Sequence, residues 1–411
     1  MATVAVLGTL DTKGEEGAWL VARLQEHGVD TLTIDVGSFS DRTDVDVTAE
    51  AVIDAAGEDA AALRERRDRG EMMDVMGRGA AEIVRQLAEE GRVHGLLAFG
   101  GSSGSSAAAP AMQALPVGFP KLLVSTMASG DVAPYVGEVD ATLMYSVVDI
   151  AGINSVSAKV LGNAAAGIAG MAQAYAEPHQ EQEFRPVVAV SMFGLTTPAA
   201  DEARHTLEEL GYEVLVFHAT GAGGRAMERL VADGLVAGVV DLTTTELADD
   251  LVGGVLSAGP DRLEAAGAAG VPQVVSLGAL DMVNFGPRES VPEKFDQRTF
   301  VVHNPTVTLM RTTVEENAEL GRRIAAKLAA ATAPTQLFIP LRGVSGIDIA
   351  EGPFEDREAD QALFAAVREG LADSPVEIHE LDSHINDAGF GKTLAEALHQ
   401  QLQLKNQERQ A

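Results

Sequence analysis

The chain opens the same structural story twice, and that repetition narrows its fold more than any other feature. Residues 4–36 run from an apolar strand into the loop Gly8-Thr9-Leu10-Asp11-Thr12-Lys13-Gly14, then an amphipathic stretch, then a second apolar strand ending at Asp35. Residues 187–218 repeat the layout, with Val187–Met192 apolar, Phe193-Gly194-Leu195-Thr196-Thr197-Pro198 a polar turn, then a helical pattern and a strand at Leu215–His218. Parallel strands joined by helices carry ligand sites outside the carboxyl ends of the strands. The expectation is α/β: two Rossmann-like lobes with mostly parallel sheets, residues 1–176 and 186–403, and a ligand crevice between them.

Composition narrows the function classes. With 30 Lys and Arg against 61 Asp and Glu, the formal charge is −31, which repels nucleic acid and anionic membranes. Cysteine is absent, so thiolate nucleophiles, disulfides and Cys-based zinc sites are excluded. The start shows no basic segment leading into an apolar run, and no apolar stretch approaches the roughly 20 residues of a membrane span. The expected location is the cytoplasm.

In the first lobe, short apolar runs at Thr3–Leu7, Thr31–Val36, Gly95–Ala98 and Lys121–Ser125 read as strands buried on both faces. Helical periodicity covers Glu15–His27 and Gly77–Glu90, and more weakly Thr48–Ala56 and Ala60–Arg69. A long Ala/Gly-rich helix is expected over Asn154–Tyr175, then a linker at Glu177–Arg185. The second lobe has strands at Val187–Met192, Glu213–His218, Gly238–Asp241, Gln273–Leu277, Thr335–Ile339 and Val376–Leu381, a helix at Glu315–Ala331, and a fraying tail from Gln400.

Three first-lobe loops suit an anion. Gly8, Thr9, Asp11, Thr12 and Lys13 join a strand to a helix start, where free N–H groups favour phosphate. Gly100-Gly101-Ser102-Ser103-Gly104 has the composition of a phosphate cradle. It matches the Gly-x-Ser-x-Gly pattern formally, but no first-lobe His follows to serve Ser102 as a base. Thr126 and Ser129 bring hydroxyls to the same edge, and Asp131 is a candidate Mg²⁺ ligand through water.

In the second lobe, Gly221, Gly223 and Arg225 form a Gly-rich turn suited to a small carboxylate or phosphate, with Arg342 as a second guanidinium. His218, Glu246, Asp281, His303 and His384 supply acid and base groups from separate strand ends, the way α/β active sites are assembled. Each one alone is more often a capping or core residue.

Long motifs carry a family resemblance. They include Gly8–Gly14, Gly100–Gly104, Ser129–Gly137, Met144–Ile150, Asp241-Leu242-Thr243-Thr244-Thr245-Glu246, Gly278–Gly286, Pro340–Ser345 and His384-Ile385-Asn386-Asp387. The chain resembles the tomato mosaic virus resistance protein family and its bacterial relatives over nearly its whole length. The resemblance implies two Rossmann-like lobes, a homodimer and Mg-ATP in the first lobe. Plant members carry a further barrel domain similar to phosphoenolpyruvate-type hydrolases, so a separate barrel-type hydrolase is an expected partner. The function expected is ATP binding, with an ATP-dependent or phosphate-ligand enzyme of small-molecule metabolism as the first reading. The alternative is a non-catalytic nucleotide-binding regulatory protein working with that hydrolase.

Overall fold

The computed structural model describes residues 1–177 and 185–410, in two compact units, Met1–Glu181 and Gln182–Ala411. All but the two end residues of the linker read at Glu177–Arg185 lie outside the described residues. In the first unit β1 (Thr3–Gly8), β2 (Asp30–Asp35), β3 (Gly95–Gly100), β4 (Lys121–Ser125) and β5 (Thr142–Tyr145) form a parallel sheet of order β2-β1-β3-β4-β5. Period-two alternation sends Val4, Val6, Leu97, Phe99, Leu122 and Val124 into one core and Ala5, Leu7, Leu96, Ala98 and Leu123 into the other. Burial on both faces explains why these strands read as continuous apolar runs.

The second unit repeats that order and extends it. Its strands β6 (Val187–Met192), β7 (Glu213–His218), β8 (Gly238–Thr243) and β9 (Gln273–Gly278) come first. An antiparallel sheet of β10 (Met282–Phe285), β11 (Phe300–Asn304) and β12 (Val307–Arg311) follows, then β13 (Thr335–Pro340) and β14 (Glu377–Leu381). The main sheet runs β14-β13-β9-β8-β6-β7, so β6 pairs with both β7 and β8 as β1 pairs with both β2 and β3. The strand pattern expected from sequence has nothing between β9 and β13, so β10–β12 are additions to it. Met282 and Leu309 alternate with Val283 and Met310 between two cores, while the edge strand β11 leaves Val302–Asn304 exposed.

Three helix boundaries differ from expectation. The first helix starts earlier, at Leu10, and is kinked at Lys13 (φ −129°, ψ 32°). The helix read at Ala60–Arg69 stops at Arg66, because Arg67 is left-handed (φ 51°) and Asp68 caps a new helix, Arg69–Glu89. The tail does not fray from Gln400. The last helix runs Phe390–Gln410, with Leu402 buried and Lys405 Nζ donating to the Gly270 carbonyl at 2.7 Å. Among the described residues no helix is long and apolar enough to cross a membrane.

Candidate functional site

Strand order in the first sheet reverses between β1 and β3, and a cavity of about 440 Å³ opens there. This switch point is where open α/β sheets hold ligands. Thr9, Asp11, Thr12 and Lys13 line it from the loop after β1, and Gly101, Ser102, Ser103 and Gly104 from the loop after β3. The remaining walls were not foreseen. Ser38 and Phe39 come from the loop after β2, and Arg67, Arg69, Met72 and Met73 from the broken helix.

Local chemistry explains these positions. The helix Ser102–Gln113 starts at Gly101 with no side-chain cap, so its first N–H groups face the loop without intrahelical acceptors. Ser105 closes the turn beneath, its hydroxyl donating to the Gly101 carbonyl at 2.8 Å and lying 2.6 Å from Ser125 Oγ. Gly8 is required by packing, since a Cβ there would lie 2.7 Å from the Phe99 ring. Buried Asp35 ties two walls together, one oxygen accepting from Leu10 N (3.0 Å) and Gly37 N (2.8 Å). Its other oxygen has no partner. Arg64 steadies the loop carrying Phe39 by donating to Ser40 O at 2.9 Å.

Charge singles this cavity out. Lys13, Arg67 and Arg69 line it against one carboxylate, Asp11. Lys13 Nζ donates to the Ile150 carbonyl, and Arg69 Nη2 donates to Ser103 Oγ at 2.9 Å. Of the residues expected here, Gly8, Thr126, Ser129 and Asp131 lie outside the cavity wall. Thr126 sits beside Gly101, and Asp131 caps a turn by accepting from Ala133 N at 3.1 Å. Among the described residues no cluster of three or more His, Asp or Glu is arranged to hold a metal. Mg²⁺ ordinarily takes one or two carboxylates and completes its shell with phosphate and water. Asp11 is the one carboxylate on the cavity wall.

The second unit's anion turn is already filled. Glu246, expected as a catalytic group, is fully buried and accepts from Gly221 N (2.7 Å) and Gly224 N (3.0 Å). A Cβ at Gly224 would lie 2.1 Å from Glu246 Oε2, and one at Gly223 would lie 1.9 Å from the His218 carbonyl. Gly224 thus admits the chain's own carboxylate, while Gly223 lets the turn close on the His218 carbonyl, and Glu246 takes the place expected for an outside anion at Gly221 and Gly223. Burial pushes the Glu246 pKa up, against Arg262 and the Gly221 amide, which pull it down. Arg225 Nη1 donates to the Ser257 carbonyl. Arg342 makes a two-pronged pair with Asp382, at 2.7 and 2.6 Å.

The other candidate catalysts are only partly brought together. Asp281 is buried and accepts from Ser345 Oγ at 2.7 Å, and burial, with Asp348 adding, pushes its pKa up to about 8. His384 Nε2 lies 2.7 Å from the Ser345 carbonyl, while its Nδ1 accepts from Asn386 N at 3.0 Å. Ser345 thus links the two, but both ring nitrogens are engaged with backbone, so no Ser-His-Asp relay forms. His218 lies at the end of β7 against Phe193, and His303 is exposed on β11.

Relatives place the chain. It is 50% identical over 398 residues to a UPF0261 protein of Clostridium tetani, covering 96% of this chain and 98% of that one. A UPF0261 protein of Rhizobium meliloti is 44% identical over 97% of this chain and 98% of its own length. The ToMV resistance protein Tm-1(GCR237) of Solanum lycopersicum is 42% identical over 80% of this chain, which is 44% of the tomato protein. Among solved structures, a putative UDP-N-acetylglucosamine 2-epimerase from Listeria monocytogenes aligns over 92% of this chain and 98% of its own at 12% identity, with a TM-score of 0.21. Residues 2–177 match the N-terminal domain and residues 185–402 the C-terminal domain of the Uncharacterised protein family (UPF0261), and the chain belongs to that family.

Proposed function

We propose that the first unit binds a nucleotide, ATP with Mg²⁺, in the cavity between β1 and β3. One observation carries the reading: in a chain of net charge −31, three cations line this cavity and, among the described residues, none is paired with a carboxylate. The uncapped helix start at Ser102 adds the N–H groups that phosphate prefers. Bound metal would bring charge neutralisation to the phosphates, with Asp11 placed to orient its water.

For the second unit, bonds within the chain already engage Glu246, Asp281, Arg342 and His384. That favours the nucleotide-binding regulatory reading over one in which these groups catalyse. We place this work in the cytoplasm, in a homodimer. The small-residue helix Ser157–Ala176, with Met171 and Tyr175 exposed, supports the dimer. Light scattering should exceed the 42.9 kDa of one chain at micromolar concentration, and a value equal to it removes the dimer.

Mg-ATP should raise the melting temperature. A ligand at a hundred times its Kd stabilises by about 2.7 kcal/mol. Lys13→Ala should weaken that shift, since Lys13 keeps two donors free beyond the Ile150 carbonyl. Unchanged nucleotide affinity by calorimetry would sink the role of Lys13. A wild-type protein that no nucleotide stabilises would sink the whole reading.

A further inference from the structure

We infer that the loop from Leu341 to Asp356 is a lid over the carboxyl edge of the second sheet, fastened by a clasp in which Asp281, Asp348 and Asp360 share the buried guanidinium of Arg311, and that the lid loosens when the clasp ionises. The inference concerns the second unit alone and does not rest on the nucleotide reading.

The loop joins β13 to the helix Arg357–Leu371. It exceeds the roughly 12–15 residues beyond which loops without regular structure usually serve a function, lids among them. It also lies where open α/β sheets hold ligands. Gly346 N donates to Leu195 O after β6 (2.8 Å), Ala279 N after β9 donates to Val344 O (2.9 Å), and Ile385 N after β14 donates to Gly343 O (3.0 Å). Phe354 is buried in one apolar cluster with Phe193, Ala279 and Met282. The carboxyl edge is thus roofed in the second unit, whereas in the first it opens into a cavity.

The fastening is polar and buried. Ser345 Oγ donates to Asp281 Oδ2 at 2.7 Å, and Val344 N to Asp348 Oδ2 at 2.8 Å. Arg311, the last residue of β12, donates from Nε to Phe354 O (2.8 Å) and from Nη2 to Asp360 Oδ1 (2.7 Å). Asp348 Oδ1 lies 3.9 Å from the same Nη2, and Asp281 Oδ1 has no hydrogen-bond partner. One buried guanidinium therefore faces three buried carboxylates, while the more exposed Arg357 adds a contact to Asp360 at 3.4 Å. Unmatched charge in the interior is costly, so such a cluster keeps protons. Burial, with Asp348 adding, pushes Asp281 up to about 8 and Asp360 up to about 7, and burial raises Asp348 as well.

Other charged groups face the loop from its neighbours. His384 Nε2 lies 2.7 Å from Ser345 O, Asp387 accepts from His384 N, and Asp382 pairs with Arg342. Within the loop, Glu351 N donates to Glu355, Glu355 lies 3.5 Å from Arg357, and Asp356 caps the following helix by accepting from Ala359 N. None of these is a buried cation. Opening the loop would hydrate Asp281 and Asp348 and return them to the ordinary range near 4. The closed state thus holds protons that the open state releases. Closure is full at low pH and weakens as pH rises towards about 8.

Hydrogen exchange read by mass spectrometry, corrected for the intrinsic rate at each pH, tests this between about pH 6 and 8.5. Peptides covering Leu341–Asp356 should be less protected than β6 and β8 throughout. Their protection should fall by about fifty- to a hundredfold across the range, as linkage gives for one group moving from about 8 to about 4. Asp281→Asn has no proton to lose there and should cut the fall to about tenfold or less. Equal protection in the loop and in β6 and β8 would show that the loop opens only with the whole unit, and overturns the lid. A wild-type fall under about threefold, or an unchanged fall in Asp281→Asn, overturns the clasp. The wild-type outcomes decide even where the variant folds poorly.

Discussion

Arg262→Leu should cost the second unit about 3–5 kcal/mol, the scale on which a buried ion pair fails when one partner is removed. The guanidinium is wholly buried and meets three carboxylates. Its Nη1 donates to Asp241 Oδ2 at 2.5 Å and Glu228 Oε1 at 3.1 Å, Nη2 to Asp241 Oδ1 at 2.7 Å, and Nε to Glu246 Oε2 at 2.6 Å. Leucine would leave Asp241 and Glu246 without a cation in the interior, which costs far more than the lost attraction itself. Glu246→Gln should also destabilise: an amide oxygen still accepts from Gly221 and Gly224, but the amide NH₂ then faces the Arg262 Nε–H, donor to donor. The readout can be divided by unit, because the chain's one tryptophan, Trp19, lies in the first. In urea, far-UV circular dichroism should show an early transition in Arg262→Leu while Trp19 fluorescence keeps its wild-type midpoint. A stability change under about 1 kcal/mol would show that the network is dispensable.

The same network shows where sequence reasoning reached its limit. The Gly221–Gly224 turn has the composition of an anion loop, and it does bind an anion, but that anion is Glu246 of the next strand–helix junction. Composition reveals an appetite for negative charge without revealing that the chain supplies it. Arg342 is a similar case, since its partner Asp382 arrives from the neighbouring strand β14. The reverse holds in the first unit. The loops after β1 and β3 were legible because each lies between a buried strand and a helix start. Their cationic wall was not, since Arg67 and Arg69 come from a helix break with no place in the strand pattern. A signal was present: Arg66-Arg67-Asp68-Arg69 is a basic run in an acidic chain, with a capping Asp inside it. Strands buried on both faces were legible as apolar runs. β5, half-buried and four residues long, and β10–β12, split by turns, offered no run long enough to register.

Asp249→Asn should gain stability over wild type as pH rises. Asp249 is fully buried in the helix Glu246–Val252. Its Oδ1 accepts from Asn284 N (3.1 Å) and Leu256 N (3.2 Å), and its Oδ2 from Asn284 Nδ2 (2.7 Å). These bonds favour the anion, yet burial outweighs them and pushes the pKa up to about 7, with the Glu246 charge adding to the rise. An unfolded aspartate titrates near 3.9. Between about pH 4 and pH 7 the folded state therefore holds a proton that the unfolded state has released. Stability is full below that window and falls as pH rises through it, by on the order of 4 kcal/mol in all. Asparagine carries no such proton and should be spared the loss. Its amide can also be accommodated: if Asn284 turns over, the Oδ1 that now lacks a partner accepts from the new Nδ2. Near pH 8 the variant should melt roughly 10 °C above wild type, at about 2–4 °C per kcal/mol for a unit of this size. The difference should shrink or change sign near pH 5. Melting curves of both proteins from about pH 4.5 to 8.5 supply the test, and a constant separation across that range would show that Asp249 is ionised in the interior throughout.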